Sequence, residues 1–335
     1  MNDRQLGDVG GGLNSWVFHK IISLENLLLA WREFRRGKRQ KKDVAQFEFN
    51  LEDNLFSLHQ SLKQKLYEHG KYTSFYVRDP KLRLISKATV RDRVLHQAFF
   101  RIFYRIFDPS FIHDSYSCRK KKGTHKGVLR LGQFTKKVTG NHCQTAYALK
   151  CDVRKFFDSV DQATLFRIIE RKVKDPDTLW LIGKIIGSFS AQPGRGLPLG
   201  NVTSQLFANI YLNELDQFTK HKLKQKYYLR YCDDFIVLSR IQNDLILLLP
   251  QISNFLLEHL GLILHPGKVI FRKASRGIDF LGYVILPHYL ILRTKTKRRL
   301  LRKIKRRQVD DRNWSSYLGI LGHCRGHKIF ERMIA

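Results

Sequence analysis

Leu24, Leu27, Leu28 and Trp31 recur at the spacing of one helix face, so a helix is expected from Ser23 to about Arg36. Further helices are expected over roughly 51–67 and over 89–107, the latter with Val94, Ala98, Ile102 and Ile106 on one face. Between them Phe75-Tyr76-Val77 and Leu82-Arg83-Leu84-Ile85 read as two short strands joined by a turn at Pro80. From Tyr147 the pattern becomes strand, helix, helix, strand pair: a strand over 146–153, then helices over about 161–173 and 176–188. Pro176 sits at a first-turn position, where its missing N–H costs nothing. The Pro-Gly segment 193–198 predicts a loop, followed by a long helix from about Thr203 to Lys226. A hairpin around 231–234, a helix over about 243–260 and a strand pair ending in Phe280-Leu281-Gly282-Tyr283-Val284 complete the middle of the chain. The first fifteen residues are polar and carry Gly10-Gly11-Gly12, which predicts a flexible lead.

The expected hairpin carries an unusual pair. Tyr231-Cys232-Asp233-Asp234 lies between the apolar runs Tyr227-Tyr228-Leu229 and Phe235-Ile236-Val237-Leu238. Adjacent carboxylates in a half-buried place repel one another, and divalent cations would relieve that repulsion. A third carboxylate, Asp152, ends another apolar stretch, Ala146-Tyr147-Ala148-Leu149. Three strand-borne aspartates with a helical layer between them suit a site for two Mg²⁺ ions, which can activate a hydroxyl and stabilise leaving pyrophosphate.

Composition changes the picture in one direction. Of 335 residues 61 are Lys or Arg and 29 Asp or Glu, a formal net charge of +32, which favours a polyanionic partner. The excess is spread along the chain, but two segments concentrate it. Seven of the eleven residues from Arg32 to Lys42 are basic, as are ten of the fifteen from Arg293 to Arg307, where Leu300, Leu301 and Ile304 keep helical spacing. The second segment is expected to be a backbone-gripping helix beyond a domain boundary near residue 290. Five cysteines without paired spacing, no signal pattern at Met1-Asn2-Asp3-Arg4-Gln5 and apolar runs too short to span a bilayer predict a soluble, cytoplasmic protein without a membrane partner.

The order of the motifs resembles the reverse transcriptases. Tyr231-Cys232-Asp233-Asp234 is similar to their Tyr-x-Asp-Asp box. Pro80 to Ile85 with Arg91-Asp92-Arg93-Val94 resembles the first, fingers box, and Tyr116-Ser117-Cys118-Arg119 with Gly123-Thr124-His125 the second. Asp152 to Asp158 resembles the third, Leu262 to Lys268 the sixth, and Phe280-Leu281-Gly282-Tyr283 the primer grip, so the likeness covers about 70–290. In the fourth box the chain reads Leu199-Gly200-Asn201-Val202-Thr203-Ser204-Gln205 in place of Gln-Gly and Ser-Pro. That variant resembles the reverse transcriptases of diversity-generating retroelements.

The resemblance implies an α+β right-hand polymerase fold: a flexible lead over 1–20, N-terminal helices and fingers over 21–145, a palm with inserted finger elements over 146–290, and a short basic thumb over 291–335. It implies that a template-repeat RNA is copied into cDNA from a primer and deoxynucleotide triphosphates, with errors at template adenines. A small basic accessory variability protein is the implied partner. No ribonuclease H or endonuclease domain is expected. Asp152, Asp233 and Asp234 would be catalytic, and Asp152, Val153, Asp233 and Asp234 would contact metal. Arg83 and Lys81 would grip the triphosphate, unless they are solvated strand-edge charges. Phe157 would be the steric gate against a ribose 2′-hydroxyl, unless it packs in the core as Phe156 does. Lys268 stands where a general acid for pyrophosphate departure is placed, or is a surface lysine. Leu199, Gly200 and Gln205 would line the nucleotide site and loosen base selection; equally, Asn201, Thr203 or Ser204 would cap the following helix. His125 reads as a loop histidine, Cys232 as a packing residue, and Asp158 and Asp161 as helix caps. The rivals are an antiphage relative making untemplated DNA, an intron- or CRISPR-linked enzyme, and a non-catalytic RNA-binding module.

Overall fold

The computed structural model describes residues 16–78, 81–305 and 317–334. The lead over 1–15, the Pro80 turn, Arg306 and Arg307 of the basic run and the side chain of Ile304 lie outside the described residues. The described chain begins with four helices, α1 (Trp16–Ile22), α2 (Leu24–Phe34), α3 (Lys42–Phe49) and α4 (Leu51–Lys63). A hairpin of β1 (Thr73–Arg78) and β2 (Leu82–Lys87) leads to α5 (Val90–Phe107), α6 (Thr124–Val138) and β3 (Tyr147–Asp152). Next come α7 (Phe156–Ser159), α8 (Gln162–Glu170), α9 (Pro176–Gly187) and α10 (Val202–Gln217). Strands β4 (Tyr228–Tyr231) and β5 (Asp234–Ser239), helix α11 (Gln242–Leu260) and strand β6 (Ile270–Lys273) succeed them. The described chain ends with β7 (Ile278–Phe280), β8 (Tyr283–Ile285), β9 (Leu290–Leu292), α12 (Thr294–Lys305) and α13 (His327–Ile334). Among the described residues no helix is long and apolar enough to cross a membrane.

These elements form two compact units that alternate along the chain. One comprises the described residues within Met1–Phe111, Lys155–Glu214 and His259–Leu262; the other comprises those within Ile112–Arg154, Leu215–Glu258 and Ile263–Ala335.

The first unit is helical apart from its hairpin. Ser23 caps α2 by accepting from the Asn26 N–H at 3.2 Å, which satisfies one orphan donor of the first turn. Helix α5 buries Val94, Leu95, Ala98, Phe99, Phe103 and Phe107, whereas Ile102 and Ile106 are half-buried. Phe99 and Phe103 stack at 4.0 Å between ring centroids, and the larger apolar area of this aromatic stripe turns it inward in preference to the isoleucines. Trp16–Ile22 is a helix with Val17, Phe18, Ile21 and Ile22 buried, although the lead was expected to run to residue 20. Helix α10 ends at Gln217 and widens into a π turn over Phe218–Lys222, short of the expected Lys226.

The second unit carries a four-stranded sheet in the order β4-β5-β3-β6, antiparallel throughout. The expected C-terminal strand pair is divided: β6 joins this sheet, and β7-β8-β9 form a separate one. Gly277 makes the break. Its φ is +79° and a Cβ there would lie 2.7 Å from Val284 Cγ1, so the chain turns where a side chain would be strained. Helix α6, unforeseen from the sequence, packs Val128, Leu131 and Phe134 into one core with Leu229, Ile236, Ala148, Phe280 and Tyr283. Full burial of Leu131 or Phe134 contributes about 2 kcal/mol each.

Candidate active site

The tip of the β4–β5 hairpin is set by its register. Tyr231 faces Asp234, which leaves Cys232 and Asp233 as a two-residue loop. Cys232 takes a φ of 57° at the position where a II′ hairpin turn needs a positive value. On the other side of β5, Asp234 faces Asp152 directly across the ladder. The Val153 N–H donates to Asp233 O at 3.2 Å. One sheet therefore fixes the backbones of all three aspartates and of Val153.

Like charges directly opposed in a sheet are unfavourable, and burial adds to the cost. Burial, then the Asp152 charge, pushes the Asp233 carboxyl above its ordinary range. Burial raises Asp234 to about 6, and the Lys150 ammonium opposes that rise. Lys150 Nζ lies 3.2 Å from Asp234 Oδ2 and donates to Asp279 O at 3.0 Å. Lys268 Nζ donates to Asp152 Oδ1 at 2.5 Å. Its turn, Pro266–Lys268, is held there because the chain before it runs beside β3: the Arg154 N–H donates to Ile263 O and the His265 N–H to Asp152 O, each at 2.8 Å. The carboxylates are thus turned toward two lysines, and among the described residues no three His, Cys, Asp or Glu side chains converge as a ligand cluster. The donor set still suits a hard divalent cation. It offers carboxylate oxygens in register, and Asp234 Oδ1 is buried without a hydrogen-bond partner.

The other expected site residues fall in the first unit. Arg83 stands on β2 opposite Val77 and shares a face with Phe75, Val77 and Ile85 by strand parity; both Arg83 and Lys81 are exposed. The fourth-box loop is tied to the end of this hairpin. The Ser86 N–H donates to Leu199 O at 3.0 Å, and Asn201 Nδ2 donates to Ser86 O at 3.1 Å. Leu199 is half-buried and Gln205 exposed on the first turns of α10. Asn201 Oδ1 and Ser204 Oγ are buried without partners, so neither oxygen caps that helix. Gly200 has a φ of +109°, and a Cβ there would sit 2.8 Å from Ile85 Cγ2. Gly200→Ala is therefore expected to lower unfolding free energy by roughly 1–3 kcal/mol in chemical denaturation; an unchanged midpoint would remove the close approach.

Of the two adjacent aromatics, Phe156 is buried and Phe157 half-buried. Lys155, at φ 44°, swings the chain out of the β3 direction into α7, and the Leu197 N–H fixes Phe157 O at 2.7 Å. Asp161 caps α8 through the Thr164 N–H at 2.8 Å. His125 lies on α6, not in a loop, with its ring 3.7 Å from that of His323. Burial pushes the Cys232 thiol well up, as befits a packing residue.

Two contributors were missed in the sequence. Lys150 sits two residues before Asp152, hence on the same strand face, and that parity was available. Arg230 is buried just before the hairpin loop; its signal was a lone charge inside an apolar run.

A family model described as reverse transcriptase (RNA-dependent DNA polymerase) matches residues 74–285. The chain is similar to the group II intron-encoded protein LtrA of Lactococcus lactis subsp. cremoris, 28% identical over 185 residues, covering 52% of this chain and 30% of that protein. It is also similar to protein YkfC of Escherichia coli, 24% identical over 248 residues, covering 62% of this chain and 64% of that one. It thus spans less than two thirds of either relative. Among solved structures, apo telomerase from Candida tropicalis shares the fold with a TM-score of 0.50 at 13% identity, covering 71% of this chain and 52% of that chain.

Proposed function

The chain belongs to the reverse transcriptase (RNA-dependent DNA polymerase) family, and from that premise we propose that it copies an RNA template into cDNA at Asp152, Asp233 and Asp234. The observation that carries this reading is the direct pairing of Asp152 with Asp234 across β3 and β5, with Asp233 on the adjoining loop. The three carboxylates, with Val153, would hold two Mg²⁺ ions. When bound, such ions lower the pKa of an attacking 3′-hydroxyl and stabilise leaving pyrophosphate. Lys268, already at the site through Asp152, supplies a proton to that leaving group. Arg83 and Lys81 bind the triphosphate as fixed cations, Phe157 excludes the ribose 2′-hydroxyl, and Gly200 lets the fourth-box loop lie close to β2.

Nucleic acid has a further basic surface in the second unit. A cavity of about 540 Å³ is lined by Arg272, Arg293, Lys295, Arg298 and Arg302, with Asp279. Asp279 pairs with Arg293 at 2.7 Å, which leaves a large positive excess for backbone phosphates and predicts salt-dependent binding.

The finer reading is a diversity-generating retroelement enzyme, working with a small basic accessory protein in the cytoplasm. It rests on Leu199, an apolar side chain that cannot make the hydrogen bond a glutamine would, so base selection loosens there. The test is cDNA synthesis on a defined RNA with Mg²⁺ and four deoxynucleotides, followed by sequencing. RNA-dependent product with errors opposite adenines, reduced by Leu199→Gln and absent from an Asp233→Ala/Asp234→Ala variant, is expected. Similarity to an intron-encoded protein favours an accurate intron-like enzyme as the second reading, and accurate cDNA would select it. Product independent of RNA would defeat both.

A further inference from the structure

Arg230 and Asp216 are both 0% exposed and pair at 2.6 Å through Nη2 and Oδ2. A second bond, Nε to Asp216 Oδ1 at 2.8 Å, makes the pair bidentate, and the Tyr228 hydroxyl donates to the same Oδ1 at 2.7 Å. The guanidinium does not stop at its counter-ion. Nη1 donates to Cys232 O at 3.0 Å, and Nη2 also reaches Ser115 Oγ at 3.3 Å. The backbone of Arg230 is anchored too: its N–H donates to Asp114 O, and its carbonyl accepts from the Tyr116 N–H, each at 2.9 Å.

The other contacts hold the guanidinium in place, and Nη1 carries that placement to the loop residue that the strand ladder does not fix. A peptide unit is planar, so a bond to Cys232 O sets the plane leading into Asp233, and the Val153 N–H on Asp233 O sets the plane leading out. Asp233 is held on both sides. Cys232 keeps a positive φ that a non-glycine residue leaves readily unless neighbours over-determine it. An isolated buried ion pair adds little to stability over an apolar pair of similar size, whereas a planar fork serving a carboxylate and a carbonyl together gives directional control that an ammonium lacks.

We infer that Arg230, fixed by Asp216, is a positioning residue that sets the Cys232–Asp233 loop and so aims the Asp233 carboxylate for metal binding. The inference rests on the proposed polymerase reading, since an aimed Asp233 matters only at a metal site. Two variants test it in the full-length protein. Arg230→Lys keeps a positive charge beside Asp216 but loses the fork. Arg230→Met/Asp216→Leu removes both charges together, so that no unpaired ion remains buried. Mn²⁺ binding to metal-free protein is followed by electron paramagnetic resonance, with circular dichroism for folding and steady-state kinetics on an RNA template.

Both variants are expected to fold, to bind Mn²⁺ about tenfold more weakly and to lose tenfold or more in kcat. KM for deoxynucleotide should stay within threefold. Either folded variant with kcat and Mn²⁺ affinity within twofold of the parent would overturn the assignment. Loss of folding in both would also overturn it, making the pair structural. If the parent chain makes no RNA-templated DNA, the polymerase reading fails separately, and the Mn²⁺ comparison still decides whether Arg230 aims the loop.

Discussion

Replacing Asp234 with Asn is expected to abolish DNA synthesis and, at pH 7.5, to make the metal-free protein harder to unfold. The carboxyl is raised to about 6 from 3.8, first by burial, so the fold prefers its neutral form. A group raised in this way lends stability that is complete below its unfolded pKa and lost as pH rises through the folded value. Near neutral pH the buried charge therefore costs about 2 to 3 kcal/mol, taking 1.36 kcal/mol per unit and allowing for partial exposure. Asparagine removes that cost and keeps the shape. Loss of the Lys150 contact to Asp234 Oδ2 offsets part of the gain, but Lys150 keeps its bond to Asp279 O. The expected result in a chelating buffer is a melting point several degrees higher at pH 7.5, with most of the difference gone by pH 4. Synthesis should fall on the order of 10⁴-fold, as when one member of a catalytic set is removed. A variant no more stable than its parent at pH 7.5, or equally stabilised at pH 4, would contradict the account. The expected gain would make the site an instance of stability given up where chemistry needs crowded charge.

Phe157→Ala should admit ribonucleotides. Phe156 is committed to the core and Phe157 is not; their rings meet edge to face at 5.3 Å, so the buried ring backs the half-exposed one. The backbone bond from the Leu197 N–H to Phe157 O keeps that ring where it is. Removing it should narrow the preference for a deoxynucleotide over its ribonucleotide on the order of 10²-fold in kcat/KM, the scale on which a pocket accepts or rejects one hydroxyl. Stability should fall only modestly, because the ring is not fully buried. Phe156→Ala is the contrasting variant, expected to lose about 3–5 kcal/mol of stability. An unchanged nucleotide preference in Phe157→Ala would end the gate assignment.

Much of the aspartate-bearing sheet was legible because its strands are apolar runs that adjoin the carboxylates. Apolar runs around Asp152 and Asp234 marked β3 and β5, whereas the two-residue loop is set by the β4–β5 register, in which Tyr231 faces Asp234. Local spacing could not show that Asp152 faces Asp234, since pairing is a long-range choice. The division of 262–285 between two sheets was hidden for the same reason: β6 and β7 are short, and nothing in Ile270-Phe271-Arg272-Lys273 or Ile278-Asp279-Phe280 assigns either a partner; the break falls at Gly277, against Val284. Helix α6 was readable in Val128, Leu131, Phe134 and Val138, but its opening, Gly123-Thr124-His125, has the look of a loop. Arg230 stood out only as a lone charge in an apolar run, because what it does depends on Asp216 and Cys232 being brought to it. Lysines at the carboxylates, rather than three converging ligands, are a consequence of Coulomb's law and the side chains nearest by.

The alternation of the two units along the chain bears on how the protein is made. Neither unit is a continuous stretch: the first needs His259–Leu262, and the second needs Leu215–Glu258 and the residues from Ile263 onward. On a ribosome adding about 5–20 residues per second, neither unit has all its parts until some tens of seconds into synthesis. Until residue 239 has been added β3 waits without β5, its neighbour in the middle of the sheet, and Asp152 has no partner across the ladder. Strand edges left open for that long are prone to pair with other chains, so slow-folding nascent protein, rather than the finished chain, is where chaperone demand and aggregation would concentrate.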